Sequence, residues 1–201
     1  HTREHGQAIA RGKKQRSVSR VIEKQNNNRH FFSRKQVSFD LSHVTYSPID
    51  KKRDIQIPAE LTPLLSEEIG MHLGDGTLST KKYYFSVRGD IKEKQYYTNF
   101  VLPAYKELFN LNLNLLERPP VCGFEISSKA LYSFKHDILG LPIGSKTGKI
   151  IVPPFIWESK DKDVIRAFIR GVFDTDGCVY MVKGRDYPRL SITIHSEKFI
   201  R

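Results

Sequence analysis

One pattern occurs twice in this chain and constrains its fold more than anything else in it. In the stretch Ile165 to Gly177, the apolar residues Ile165, Phe168, Ile169, Val172 and Phe173 fall at i, i+3, i+4, i+7 and i+8. That spacing is one stripe of a helix. Gly171 sits inside the stripe, where it weakens the helix but lets another backbone approach. The helix then runs into Asp174-Thr175-Asp176-Gly177, so a carboxylate stands at its last turn. A helix C-terminus is already partly negative, and an acid placed there implies a cation. Leu64 to Gly76 aligns with this stretch without a gap: Gly70 matches Gly171, Asp75 matches Asp176, and Gly76 matches Gly177. The chain therefore carries an internal repeat of roughly 100 residues, with one acid at a helix end in each copy.

An isolated Asp-Gly is a turn signal. Two copies, each behind a glycine-notched apolar helix, say more. If the helices pack through Gly70 and Gly171, Asp75 and Asp176 come close. Two close carboxylates repel, and burying them is costly without a proton or a cation. Mg2+ takes oxygen ligands and keeps waters and phosphate oxygens in its shell. Such a site suits phosphodiester hydrolysis.

The rest of the chain is arranged around these helices. Residues 1–53 form a basic lead-in, with Arg3, Arg11, Lys13, Lys14, Arg16, Arg20 and Lys24 crowded together and a linker from Pro48 to Arg53. The first repeat spans 54–158. Thr62-Pro63 is a helix start, a capping hydroxyl followed by proline in the first turn. Tyr83 to Arg88 alternates, with Phe85 and Val87 on one face and Tyr84, Ser86 and Arg88 on the other. Asp90 caps a second helix that Pro103 is expected to kink. Leu111–Leu116 and Gly123–Ser127 read as a strand pair across Pro119-Pro120, and Leu131–Leu139 as a helix. The second repeat, 159–201, supplies a helix from about Asp161 and two strands, Val179–Lys183 and Arg189–His195, before the sequence ends. Its apolar face, Leu190, Ile192 and Ile194, is then expected to lack a covering helix and to aggregate. The fold class is α+β: tandem αββαββα repeats packed through two helices, the second incomplete.

Composition narrows the partners. The formal net charge is +11 and the pI about 9.6, an excess that favours nucleic acid or an anionic surface. No run of 18 apolar residues exists, so no membrane span is expected. Cys122 and Cys178 show no metal-ligand spacing and read as reduced residues of an intracellular protein.

Residues 55–201 resemble the LAGLIDADG homing endonucleases, on Ile69-Gly70-Met71-His72-Leu73-Gly74-Asp75-Gly76 and Ile169-Arg170-Gly171-Val172-Phe173-Asp174-Thr175-Asp176-Gly177. The first copy departs from the motif at His72 and Gly74. The resemblance implies an interface of two helices between pseudo-symmetric halves of a monomer. It also implies that each half sets a curved antiparallel sheet astride the DNA major groove. Asp75 and Asp176 would bind divalent ions, Mg2+ or Mn2+, and cut both strands, with the preceding residues Gly74 and Thr175 at the metal site. A loop lysine, Lys146 or its neighbour Lys149, would steer the nucleophilic water or offset charge on the phosphate. Base contacts are expected from Tyr84, Ser86, Arg88, Arg189, Ser191, Thr193 and His195. Phosphate contacts are expected from Lys81, Lys82, Lys183 and Arg185. Asp174 reads as a turn residue, and Tyr97, Tyr105, Phe109, Phe168 and Trp157 as core. The expected function is site-specific cleavage of double-stranded DNA. The alternative is an RNA-splicing maturase or a non-cleaving DNA-binding regulator on the same scaffold.

Overall fold

A computed structural model describes residues 35–184, 186–194 and 196–200, and of Lys198 and Ile200 the backbone alone. The expectations for the basic lead-in, Arg185 and His195 lie outside the described residues.

The segment 48–53 is not a linker. Pro48–Lys52 is a short helix, α1, started by a capping box in which Ser47 and Asp50 bond reciprocally. Asp50 is fully buried because its Oδ2 also accepts from the backbone N–H groups of Lys129 at 3.1 Å and Ala130 at 3.2 Å. One carboxylate thus closes one helix start and ties it to another.

Helix α2, Pro63–Asp75, begins at the Thr62 cap and ends in a change to extended backbone at Gly76. Strand β1, Gly76–Ser79, follows directly and pairs antiparallel with β2, Tyr84–Asp90. Asp90 caps the next helical run, accepting from Lys92 N–H at 2.8 Å. That run contains α3, Lys94–Tyr96, and α4, Leu102–Phe109. Pro103 lies in the first turn of α4, where its missing N–H does least harm. Instead of a simple kink, the chain enters α4 through a wider π-type stretch, Tyr97–Val101.

Strands β3, Leu116–Arg118, and β4, Val121–Ser127, complete a four-stranded antiparallel sheet in the order β1-β2-β4-β3. Residues 111–115 are loop rather than strand. Helix α5, Lys129–Ser133, continues into a π-type turn, Phe134–Ile138. Leu78, Phe85, Val87, Phe124 and Ile126 point from the sheet into one core with Tyr97, Val101, Tyr105, Phe109, Leu131 and Phe134. Aromatic edges meet there, with Tyr105 and Phe124 centroids 4.6 Å apart, the geometry ring quadrupoles favour.

Helix α6, Pro154–Glu158, leads to α7, Lys162–Asp176, capped by Asp161. Trp157, expected in the core, is instead 52% exposed. It lies on a five-residue helix that buries Ile156, too short to cover a second bulky side chain. Strands β5, Gly177–Met181, and β6, Pro188–Ile192, form a separate hairpin, followed by α8, Glu197–Ile200. Val179, Met181, Leu190 and Ile192 share one face of that hairpin by register. All four are exposed.

Candidate active site and nucleic-acid face

Helices α2 and α7 cross at their glycines. A Cβ on Gly171 would meet Met71 N at 2.9 Å and the Glu67 carbonyl closer still, and one on Gly70 would meet Val172 N at 2.9 Å and the Phe168 carbonyl. The notch is reciprocal, so each helix uses its glycine to admit the other's backbone. Polar clamps reinforce the crossing. Ser66 Oγ donates to the Val164 carbonyl at 2.8 Å, and Arg170 Nε donates to Glu67 Oε1 at 2.7 Å, its Nη2 reaching the second oxygen.

Both helices end alike. The N–H of Gly76 bonds to His72 O and that of Gly177 to Phe173 O, and extended backbone begins there. Toward these ends Gly74 faces Thr175, whose side chain fills the space a Cβ would take. Thr175 Oγ1 turns back to Gly171 O at 3.2 Å and Val172 O at 3.1 Å.

Asp75 lies in a low-dielectric, negatively charged setting. Burial, together with the charges of Glu93 and Asp176, pushes its carboxyl up to about 6, although a hydrogen bond from Tyr97 and the charge of Lys146 oppose the rise. Tyr97 OH donates to Asp75 Oδ2 at 3.2 Å. Gly89 leaves room for this cluster: a Cβ there would lie 3.0 Å from both Asp75 Oδ2 and Tyr97 OH, and against Glu93 Oε2. No motif or spacing marks Glu93 or Gly89, which reach Asp75 only through the fold, Gly89 from the end of β2 and Glu93 from the turn after it. Tyr97 is a core residue, 1% exposed, whose hydroxyl also reaches the site.

Lys146 sits at the ends of the paired helices. Its Nζ donates to His72 O at 3.3 Å and to Gly74 O, the position where a C-terminal helix dipole attracts a cation. Burial lowers its pKa, while Asp176 and Asp75 raise it. The loop that carries it is tied to β1 by Gly144 N–H to Leu78 O at 2.9 Å. Lys149 is exposed. Geometry thus separates two lysines that spacing could not. Asp174 is exposed and accepts from Tyr96 OH at 3.4 Å.

The outward sheet face departs from expectation at one residue. Tyr84 and Arg88 are accessible, but Ser86 is only 4% exposed, since Thr77 and Glu125 flank it in register on the adjacent strands. Lys81 and Lys82 are exposed at the β1–β2 turn, and Lys183, Arg189 and Thr193 are exposed in the second half, with Ser191 half-buried. An open groove of about 790 Å³ runs beside Tyr84 and Glu125, lined also by Arg53, Asn112 and Asn114. No helix among the described residues is long and apolar enough to cross a membrane.

Residues 163–201, from α7 to the last residue, match the family model described as a LAGLIDADG-like domain. No curated protein matches the chain. That match spans the second notched helix and its hairpin, the first helix repeats the same pattern across a shared glycine crossing, and the mixed helix and antiparallel-sheet architecture agrees: the C-terminal segment, residues 163–201, carries a LAGLIDADG-like domain.

Proposed function

We propose that this protein is a site-specific endonuclease that hydrolyses both strands of double-stranded DNA with divalent metal. A LAGLIDADG-like domain suggests a homing endonuclease or a maturase. The observation that favours cutting is the convergence of Asp75, Asp176 and Lys146 on the ends of two helices that cross at glycine. A scaffold that only binds has no need of a half-buried acid held near a second acid.

The donor set suits a hard cation. Asp75 and Asp176 offer carboxylate oxygens, and Thr175 a backbone carbonyl beside them, while Gly74 O already accepts from Lys146. Among the described residues no three His, Cys, Asp or Glu side chains form a complete cage. The remaining ligands would therefore be waters and phosphate oxygens, which Mg2+ and Mn2+ accept. A bound divalent ion supplies an activated water and neutralises charge on the leaving oxygen. Tyr97 orients Asp75 through its hydrogen bond. Lys146 offsets negative charge at the reacting phosphate. Lys81, Lys82 and Lys183 grip the backbone and fix register, while Tyr84, Arg88, Arg189, Ser191 and Thr193 meet the base edges.

The test uses a plasmid carrying the native insertion locus, incubated with Mg2+. Linear product is expected, and Asp176→Asn should abolish cutting while DNA binding stays largely intact. Persistent cutting by that variant would remove Asp176 from the mechanism. Absence of cutting by the wild type, with binding to the host intron RNA, would favour the maturase.

A further inference from the structure

The outward face of the first sheet holds a charged cluster that neither metal binding nor phosphate contact explains. Glu125 lies opposite Ser86 on β4, diagonally between Tyr84 and Arg88 of β2. Tyr84 OH donates to Glu125 Oε2 at 2.9 Å. Arg88 Nη2 donates to Tyr84 OH at 2.7 Å and to the same carboxylate oxygen. Arg118 Nη2, arriving from β3, stands 3.4 Å from Glu125 Oε1. Both oxygens of one acid are thus engaged from three sides.

We propose that Glu125 is a specificity-determining residue of this face, locking Arg88 for readout of a guanine–cytosine pair in the major groove. The proposal rests on the DNA-binding function proposed above. A carboxylate on a surface that meets phosphates weakens binding to every sequence, so its presence at the centre of the face needs another explanation. Pairing supplies one. An arginine tied to an acid loses much of its pull on phosphate, yet keeps the N–H donors of Nη1 in a fixed direction. The bonds to Arg88 run through Nη2, so Nη1 remains to donate to the O6 acceptor of guanine, a single contact that adenine, with an amino donor there, does not offer. Glu125, 28% exposed at its side chain, has lone pairs left for the amino group of the partner cytosine.

The local backbone is built for this arrangement. Gly123 is the partner of Arg88 in register and has a φ of 150°. Any side chain there would press on Val87 O and lie 2.9 Å from Arg88 Cα. Glycine at this position lets β4 approach the backbone of β2 beside Arg88. The hydrogen bond from Tyr84, with help from Arg88 and Arg118, holds the Glu125 carboxyl below its ordinary range, so it stays ionised at neutral pH.

The test is selection from a randomised duplex library, in chelator so that nothing is cut, with the 201-residue chain, Glu125→Gln, Glu125→Ala and Arg88→Ala. The wild type should enrich a G·C pair at one position of its site. Glu125→Ala and Arg88→Ala should each lose that preference by about tenfold and keep preferences elsewhere. Glu125→Gln, which preserves shape, should lose it too. Retention of the G·C preference by either Glu125 variant would overturn the proposal. So would a weakening spread evenly over all sequences, which is what simple charge balance gives. A wild type that enriches no sequence would sink sequence reading altogether, and the function above with it.

Discussion

At the scale of single residues, the unexpected feature is the polarity buried inside α2. Residues Leu65 to Leu73 are all buried, because the helix packs on α7 on one side and on its own sheet and helices on the other. Glu67 and Glu68 are both among them. In the fold Glu68 accepts from Lys135 and from Tyr105 OH, and Lys135, fully buried, lies 4.7 Å over the Phe85 ring. Removing one partner strands a charge, so Lys135→Met should cost on the order of 3–5 kcal/mol. Lys135→Met combined with Glu68→Gln should recover most of that in urea melts. His72 is also fully buried, stacked on Phe85, with neither ring nitrogen bonded. Burial, with Lys135 and Lys146 nearby, holds its pKa well below 6.5. The folded chain therefore refuses a proton that the unfolded chain accepts. Stability is full above pH 6.5 and should fall by up to about 1.4 kcal/mol per unit below it. His72→Leu should remove that increment, and a wild type and variant with equal slopes between pH 6.5 and 5 would contradict it. Asp75 and Asp176 stand out in the sequence because a repeated motif marks them, whereas Lys146 was one of two lysines that only the resemblance suggested. Glu68, Lys135, Glu93 and Glu125 do not stand out, because only tertiary contact gives each its partner.

Among elements, the two notched helices were readable because their signals are local. The pattern gives a period, a cap and an end: Thr62 and Asp161 cap, and Gly76 and Gly177 begin the strands. The glycine crossing followed from the same pattern. Elements set by competition between neighbours were harder. Pro48–Lys52 became a helix because Ser47, Asp50 and the start of α5 share one carboxylate, a bargain that spans 80 residues of sequence. The hairpin strands shifted toward Gly177 and Pro188, away from the predicted ends, since antiparallel register rather than residue preference sets where pairing stops. The crossing itself makes a sharp prediction. Gly171→Ala places a methyl 2.9 Å from Met71 N and against the Glu67 carbonyl, both rigid backbone. The helices must separate, at a cost of about 3 kcal/mol despite alanine's better helix propensity. A thermal melt of Gly171→Ala matching the wild type would show that the two helices do not meet there.

For the whole molecule, charge and apolar surface pull in different directions. An excess of +11 keeps copies apart and should make DNA affinity fall steeply with salt. The β5–β6 hairpin works against this. In the first half, the corresponding face of β1 and β2, Leu78, Phe85 and Val87, is 0–2% exposed beneath a helical layer. In the second half Val179, Met181, Leu190 and Ile192 stand open at 42–70%. Exposed apolar patches of this kind bind hydrophobic dyes and drive self-association, and strand edges nearby add hydrogen-bonding capacity. The chain should therefore bind such a dye while folded and should associate more as salt screens its charge. Leu190→Thr with Ile192→Thr puts β-branched residues at both positions of the strand and removes the β6 half of the patch. That variant should lose much of the dye signal and sediment as a smaller species at high salt, with little loss in melting temperature, because neither side chain contributes to a core. Dye binding undiminished by the double substitution would locate the apolar surface elsewhere.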